Sequence, residues 1–150
     1  MTLAGSQVNG SKTMRLYYRF LDGSEAIDIG YTNSGGFSDG NGYIGLILRK
    51  STGTFSTVDA AITFSTNTDV SPTLSLSAES MVLSLHAEAS NTAYGAPSSG
   101  NQLATENSGA APFSSSQQIS ELVESGATST AVTCSNGNTG SRITAQIAFR

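Results

Sequence analysis

Apolar residues recur at every second position in segment after segment of this chain, and that spacing most constrains its fold. The closing stretch shows it plainly. In Arg142-Ile143-Thr144-Ala145-Gln146-Ile147-Ala148-Phe149, the residues Ile143, Ala145, Ile147 and Phe149 share one face, while Arg142, Thr144 and Gln146 share the other. A period of two with one apolar face describes a half-buried antiparallel strand. Ala127 to Cys134 also alternates, and Asn136-Gly137-Asn138-Thr139-Gly140 separates the two segments. Asn and Gly tolerate the positive φ that tight turns require. The expectation is a hairpin from Gly126 to Phe149.

The same grammar appears upstream. Met14, Leu16, Tyr18 and Phe20 alternate against Arg15, Tyr17 and Arg19. Asp22-Gly23 signals a turn, and Ile27, Ile29 and Tyr31 alternate after it, so residues 14–31 read as a hairpin. Tyr43 to Leu48 is apolar on both faces, which suggests a central strand covered twice. Residues 54–64 are less regular: Val58, Ile62 and Phe64 line a strand, or Asp59-Ala60-Ala61 forms a short turn. Leu74, Leu76 and Ala78 alternate after Pro72, and Met81, Leu83, Leu85 and Ala87 share one face of a further strand. Ser90 to Gln118 is rich in Ser, Gly, Ala, Asn and Pro, with one short strand near Gln102 to Glu106. Long loops of this kind are often binding or assembly segments. Ser116 to Glu124 reads either as a short helix capped by Ser116 or as an edge strand.

About eight strands with turns between them, and at most one short helix, imply an all-β fold. Each strand offers one apolar face, so two layers must close those faces on each other. The expectation is an antiparallel β-sandwich, jelly-roll-like, with a long Ser/Gly-rich loop. Residues 1–13 read as an N-terminal arm and residues 14–150 as the sandwich domain, a single domain at a length of 150.

Composition narrows the function classes. Only 12% of residues are charged, and the formal net charge is −4. Nucleic-acid binding needs clustered Lys and Arg, and the only adjacent basic pair is Arg49-Lys50, read as a strand end meeting solvent. The longest dense apolar run, Tyr43 to Leu48, is too short to span a membrane, and Met1 to Ser6 does not resemble a signal peptide. Cys134 is the only cysteine, which excludes an intrachain disulfide and fits assembly in a reducing cytoplasm. Its place beside Val132 reads as a small buried hydrophobe.

Catalytic patterns are missing. His86 is the only histidine, so a Ser–His–acid triad would have to use it, and no motif surrounds it. One His and one Cys do not make a zinc site of the usual kind. Glu25 and Asp28 fall on opposite faces of their strand. Asp39-Gly40-Asn41 resembles a fragment of a calcium loop without the remaining ligands. No catalytic, metal or cofactor-binding residue is assigned. Four tyrosines, Tyr17, Tyr31, Tyr43 and Tyr94, are candidates for sugar stacking, but the strongest stacker, Trp, is absent.

Three segments taken in order carry a family resemblance: Tyr17-Tyr18-Arg19-Phe20-Leu21-Asp22-Gly23-Ser24-Glu25, then Met81 to Ala87, then Thr139 to Arg150 ending in Ala148-Phe149-Arg150. This order resembles small β-sandwich structural proteins of tailed-bacteriophage virions. The resemblance implies a virion protein made in the host cytoplasm, without catalytic residues, serving as capsid decoration, neck or tail-associated component. It implies a homo-oligomer, trimer or larger, in contact with capsid or tail proteins, through the arm and the loop from Ser90 to Gln118. Only two Lys and three Pro guard the strand edges, which fits edges covered by partners. The alternative is an adhesin module that binds a host-surface glycan through loops at Phe37, Tyr94 and Phe113.

Overall fold

The computed structural model of the chain describes residues 1–10, 12–21, 44, 46–48, 53–88, 90, 92–108, 115–137 and 140–150. Seven strands run through them: β1 (Thr2–Asn9), β2 (Lys12–Tyr18), β3 (Val58–Thr66), β4 (Ser80–Glu88), β5 (Asn101–Ser108), β6 (Ser115–Glu124) and β7 (Arg142–Phe149). They form an antiparallel β-sandwich of two sheets, a β1-β2 hairpin and a five-stranded sheet of order β3-β7-β4-β6-β5.

Residues 1–13, read from sequence as an arm, carry β1, which pairs with β2 from Thr2↔Tyr18 to Asn9↔Lys12. Gly10 takes the turn between the two strands at φ +59, where an L side chain is strained. The second half of the expected hairpin at residues 14–31 lies outside the described residues.

The hairpin lies on one face of the large sheet. That face collects Met81, Leu83, Leu85, Ile119, Ala145, Ile147 and Phe149, with Ala4, Met14, Leu16, Tyr18, Ile62 and Phe64 packed against them. Tyr18, Phe20 and Phe149 meet edge to face, with ring centroids 5.4 to 6.1 Å apart. Burying one such side chain fully is worth about 1.5–3 kcal/mol, so this cluster dominates the favourable side of folding. Ile44, Leu46 and Leu48 also pack here. Ile47 is about half exposed, so the face it takes is not buried at that position, and the segment's described residues form no strand.

The closing hairpin predicted from Gly126 to Phe149 does not form. β7 is a strand, but its partners are β3 and β4. Residues 127–134 instead run against 69–76, through Ser71 N–H to Val132 O (2.8 Å), Ser129 N–H to Leu74 O and Leu76 N–H to Ala127 O (both 2.9 Å). Two isolated bridges, Val70↔Thr133 and Ser75↔Thr128, complete this irregular ribbon. It covers the second face of the large sheet, where Leu74 and Leu76 meet Val82 and Ala148, and Val132 and Cys134 meet Leu122 and Tyr94. β4 is therefore buried on both faces.

Other ambiguities resolve by neighbours. Residues 115–124 form a strand rather than a helix, and an interior one, between β4 and β5. The irregular pattern at 54–64 is β3 with register shifts at Val58/Ala60 and Ala60/Thr63. Such bulges twist an edge strand away from further pairing.

Hairpin and sheet meet closely at Gly5. A Cβ there would stand 2.5 Å from Ile62 Cγ2 and 3.0 Å from the Phe64 ring. Gly5→Val is expected to destabilise the protein by about 1–3 kcal/mol through overpacking. A denaturant midpoint equal to that of the parent protein would refute this close seating.

Candidate functional site

Two regions concentrate the chemistry of the described residues: a polar layer sealed under the ribbon, and the outward face of the hairpin. The polar layer arises from strand alternation. The residues of β4 and β7 that do not point at the hairpin point to the opposite face, under the ribbon and the Tyr94 ring. Cross-strand register arranges these side chains in rows. Leu122, Val82 and Ala148 form an apolar row; Ser120, Ser84 and Gln146 form the next; Gln118, His86 and Thr144 follow; Glu88 and Arg142 close the series. Polarity thus rises along the strands, and the ribbon matches it from Leu74 and Leu76 to Ser71 and Ser129 and then Asp69.

Gln146 is the hub. Its Oε1 accepts from Ser129 Oγ at 2.5 Å, and its Nε2 lies 2.9 Å from Ser71 Oγ, 2.9 Å from Ser84 Oγ and 2.8 Å from Thr130 O. The same hydroxyls serve the ribbon's backbone: Ser71 Oγ accepts from Val132 N–H at 2.9 Å and Ser129 Oγ from Leu74 N–H at 2.8 Å. Thr144 Oγ1 adds a bond to Val70 O at 3.0 Å. One amide therefore ties both ribbon segments to the centre of the sheet.

At the charged end, Arg142 is hydrogen-bonded to Asp69, and its Nε stands 3.2 Å from Glu88 Oε2 at an angle too oblique for a hydrogen bond. Glu88 Oε1 accepts from Gly140 N–H at 3.1 Å. Gln118 Nε2 donates to Cys134 Sγ at 3.3 Å. Burial, then the nearby Asp69 charge, push the Cys134 thiol up to about 11, which leaves it protonated and a poor nucleophile at neutral pH.

His86 is buried with no hydrogen-bond partner on either ring nitrogen, and the Tyr94 ring meets it edge to face with centroids 6.0 Å apart. Burial pulls its pKa down to about 4, against a smaller opposing pull from Asp69. Without a bonded acid or serine, it holds none of the geometry of a triad. Among the described residues, no group of three or more His, Cys, Asp or Glu is placed to hold a metal ion.

Of the three aromatic residues expected on contact loops, Tyr94 is a core residue, 7% exposed. Burial, followed by the Glu88 charge, raises its hydroxyl pKa well above the usual range. From a segment without regular secondary structure, its ring packs over His86 and beside Leu122. Phe37 and Phe113 lie outside the described residues, as do Tyr31, Tyr43 and the Arg49-Lys50 pair.

The exposed large apolar side chains stand elsewhere. On the outward face of the hairpin, Leu3 and Tyr17 sit directly opposite each other, each about half exposed, with Val8 further along. Beside them an open groove of about 370 Å³ is lined by Leu3, Ala4, Tyr18, Val58, Ala61, Ile62 and Ile147, and carries no carboxylate, imidazole or thiol. Val123 on β6 is 72% exposed. Tyr17 was read from sequence as a stacking candidate, whereas Leu3, Val8 and Val123 were not singled out. Alternation does not mark them as exposed: Leu3 and Val8 share a face only through the bulge between Leu3 and Gly5, and Val123 lies on the same face of β6 as buried Ile119.

Compared with known proteins, the chain matches no family model, no curated protein and no solved structure. No helix of the described residues is long and apolar enough to cross a membrane.

Two expectations test the polar layer. Gln146→Leu keeps the volume but leaves Ser71, Ser84, Ser129 and the Thr130 carbonyl without their amide, so it should cost about 3 kcal/mol; an unchanged urea midpoint would refute the hub. For His86, the folded pKa lies below the unfolded value of 6.5. The unfolded state then binds more protons between the two values, so stability is full above about pH 6.5 and falls as pH drops toward 4. The loss attributable to this residue should reach about 3 kcal/mol. His86→Leu should remove that component from a pH series of denaturant midpoints, while the carboxylate titrations common to both proteins remain.

Proposed function

We propose that the protein is a non-enzymatic structural protein of a tailed-bacteriophage virion, a capsid decoration, neck or tail-associated component that assembles through contacts with itself and with other virion proteins. The observation that carries this reading is where reactive and sticky groups lie. His86 and Cys134, the side chains most suited to chemistry, are sealed between layers, and their environments hold them neutral. Three of the large apolar side chains in solvent, Leu3, Val8 and Tyr17, stand together on a pleated face suited to lying against another protein. Exposed apolar patches of this sort mark protein contacts. The order of the Tyr17 to Glu25, Met81 to Ala87 and Thr139 to Arg150 segments, which resembles virion sandwich proteins, supports the same reading.

The test is the protein content of purified particles. Mass spectrometry of density-banded virions should find this chain at a fixed ratio to the major capsid or tail protein, and antibody labelling should place it at one position on the particle. Detection in infected-cell lysate but never in banded particles would overturn the proposal.

A further inference from the structure

We propose that copies of this chain associate by laying the outward strip Arg15–Tyr17 of β2 on the strip Glu121–Val123 of β6 in a second copy. This rests on the reading of the protein as one that assembles with itself, and it names the surfaces.

Charge is divided unevenly along the chain. Residues 1–21 carry Lys12, Arg15 and Arg19 and no acidic residue, whereas all eleven acidic residues share the rest of the chain with the other four basic ones. The hairpin is thus a basic element on a protein of net charge −4. Strand pairing puts Arg15 opposite Ser6 and Tyr17 opposite Leu3, all four exposed on the outward face.

β6 presents the complement. Glu121 pairs with Leu83 and Val123 with Met81, so both acid and valine lie on the hairpin side of the sheet. The hairpin packs over β3 and β7 at the other end, and Val123 stands 72% exposed. β5 and β6 together hold Glu106, Glu121 and Glu124 and no basic residue. Neither Arg15 nor Glu121 is in an ion pair among the described residues.

The two strips also agree in spacing. In each, a charge and an apolar group stand two residues apart on one face, about 7 Å along the strand. Setting Tyr17 and Leu3 against Val123 therefore brings Arg15 to Glu121 without distortion of either strand. Apolar contact supplies the attraction, and the opposite charges set register and exclude like-on-like stacking, since two hairpin faces would repel.

A charge exchange on the full-length protein tests this, read by sedimentation over a concentration series at low and physiological salt. The parent protein should associate, more weakly as salt rises. Arg15→Glu and Glu121→Lys should each weaken association by about tenfold or more. The thermal midpoint of Arg15→Glu should be unchanged because Arg15 is exposed, and that of Glu121→Lys, at a partly buried position, is measured alongside to separate folding from association. Both substitutions in one chain should restore it. Singly altered proteins that associate like the parent, or a doubly altered protein that does not recover, would overturn the pairing. So would a monomeric parent whose hairpin binds anionic vesicles, which would make the basic face a membrane contact. A monomer found bound in virions would end this inference and leave the virion reading intact; an associating protein with the expected exchange pattern that is absent from virions would do the reverse.

Discussion

The structure depends on covering a polar sheet face that cannot be left half covered. Ser84, His86 and Glu88 on β4 and Thr144 and Gln146 on β7 point away from the hairpin, and all are buried. A buried amide or hydroxyl without a partner costs about 1–3 kcal/mol, so these side chains tolerate only a lid that supplies matching groups. The segments 69–76 and 127–134 supply them for Ser84, Thr144 and Gln146, whereas His86 is buried without a hydrogen-bond partner. Hydroxyls and a carbonyl from the two segments meet Gln146 at three points, and those hydroxyls also hold the ribbon's own N–H groups. The ribbon is too irregular to count as a sheet, yet its backbone is satisfied because side chains from the sheet below complete the accounting that a regular ladder would otherwise provide.

The opposite face follows another logic. There the hairpin is held by apolar contact, and its closeness is set by the missing Cβ of Gly5 over Ile62 and Phe64. Packing of this kind is strong but undemanding about register, and a single side chain from Asn9 pins the hairpin end, through Nδ2 to Arg142 O and Asn67 Oδ1, both at 2.7 Å. The two covers of the central sheet are therefore unlike each other: one is specified by hydrogen bonds, the other by shape. That difference bears on function, because the shape-held element is the one that turns basic and apolar side chains outward, away from any chemistry stored in the polar layer.

Much of this was legible in the residues. Alternation placed β2, β4 and β7 on the correct stretches, assigned Met81, Leu83, Leu85, Ile147 and Phe149 to a core face, and marked Cys134 as buried. Alternation says which residues share a face, however, and is silent on which strands are neighbours. β7 therefore looked like the partner of 127–134, when its ladders run instead to β3 and β4, the one to β4 unbroken from Met81↔Phe149 to Glu88↔Arg142. The polar face misled for a related reason. Thr144 and Gln146 have the composition of a solvent face, and only the arrival of Ser71 and Ser129 from distant parts of the chain makes their burial favourable. Tyr94 was assigned to an exposed loop on composition alone, because the Ser- and Gly-rich residues around it hid that its ring faces His86.

By itself the sequence determined a period-two chain with enough apolar faces to require two layers, and a charge distribution in which the first twenty-one residues are basic and the remainder acidic. These are local properties, carried by each residue wherever the chain goes. Tertiary structure alone decided the strand order, the burial of both faces of β4, and the placing of Arg15–Tyr17 and Glu121–Val123 on surfaces that one copy cannot bring together. Those outcomes depend on contacts between segments far apart in sequence, such as Ser71 with Gln146, 75 positions away, and no local pattern encodes which distant hydroxyl will meet which amide.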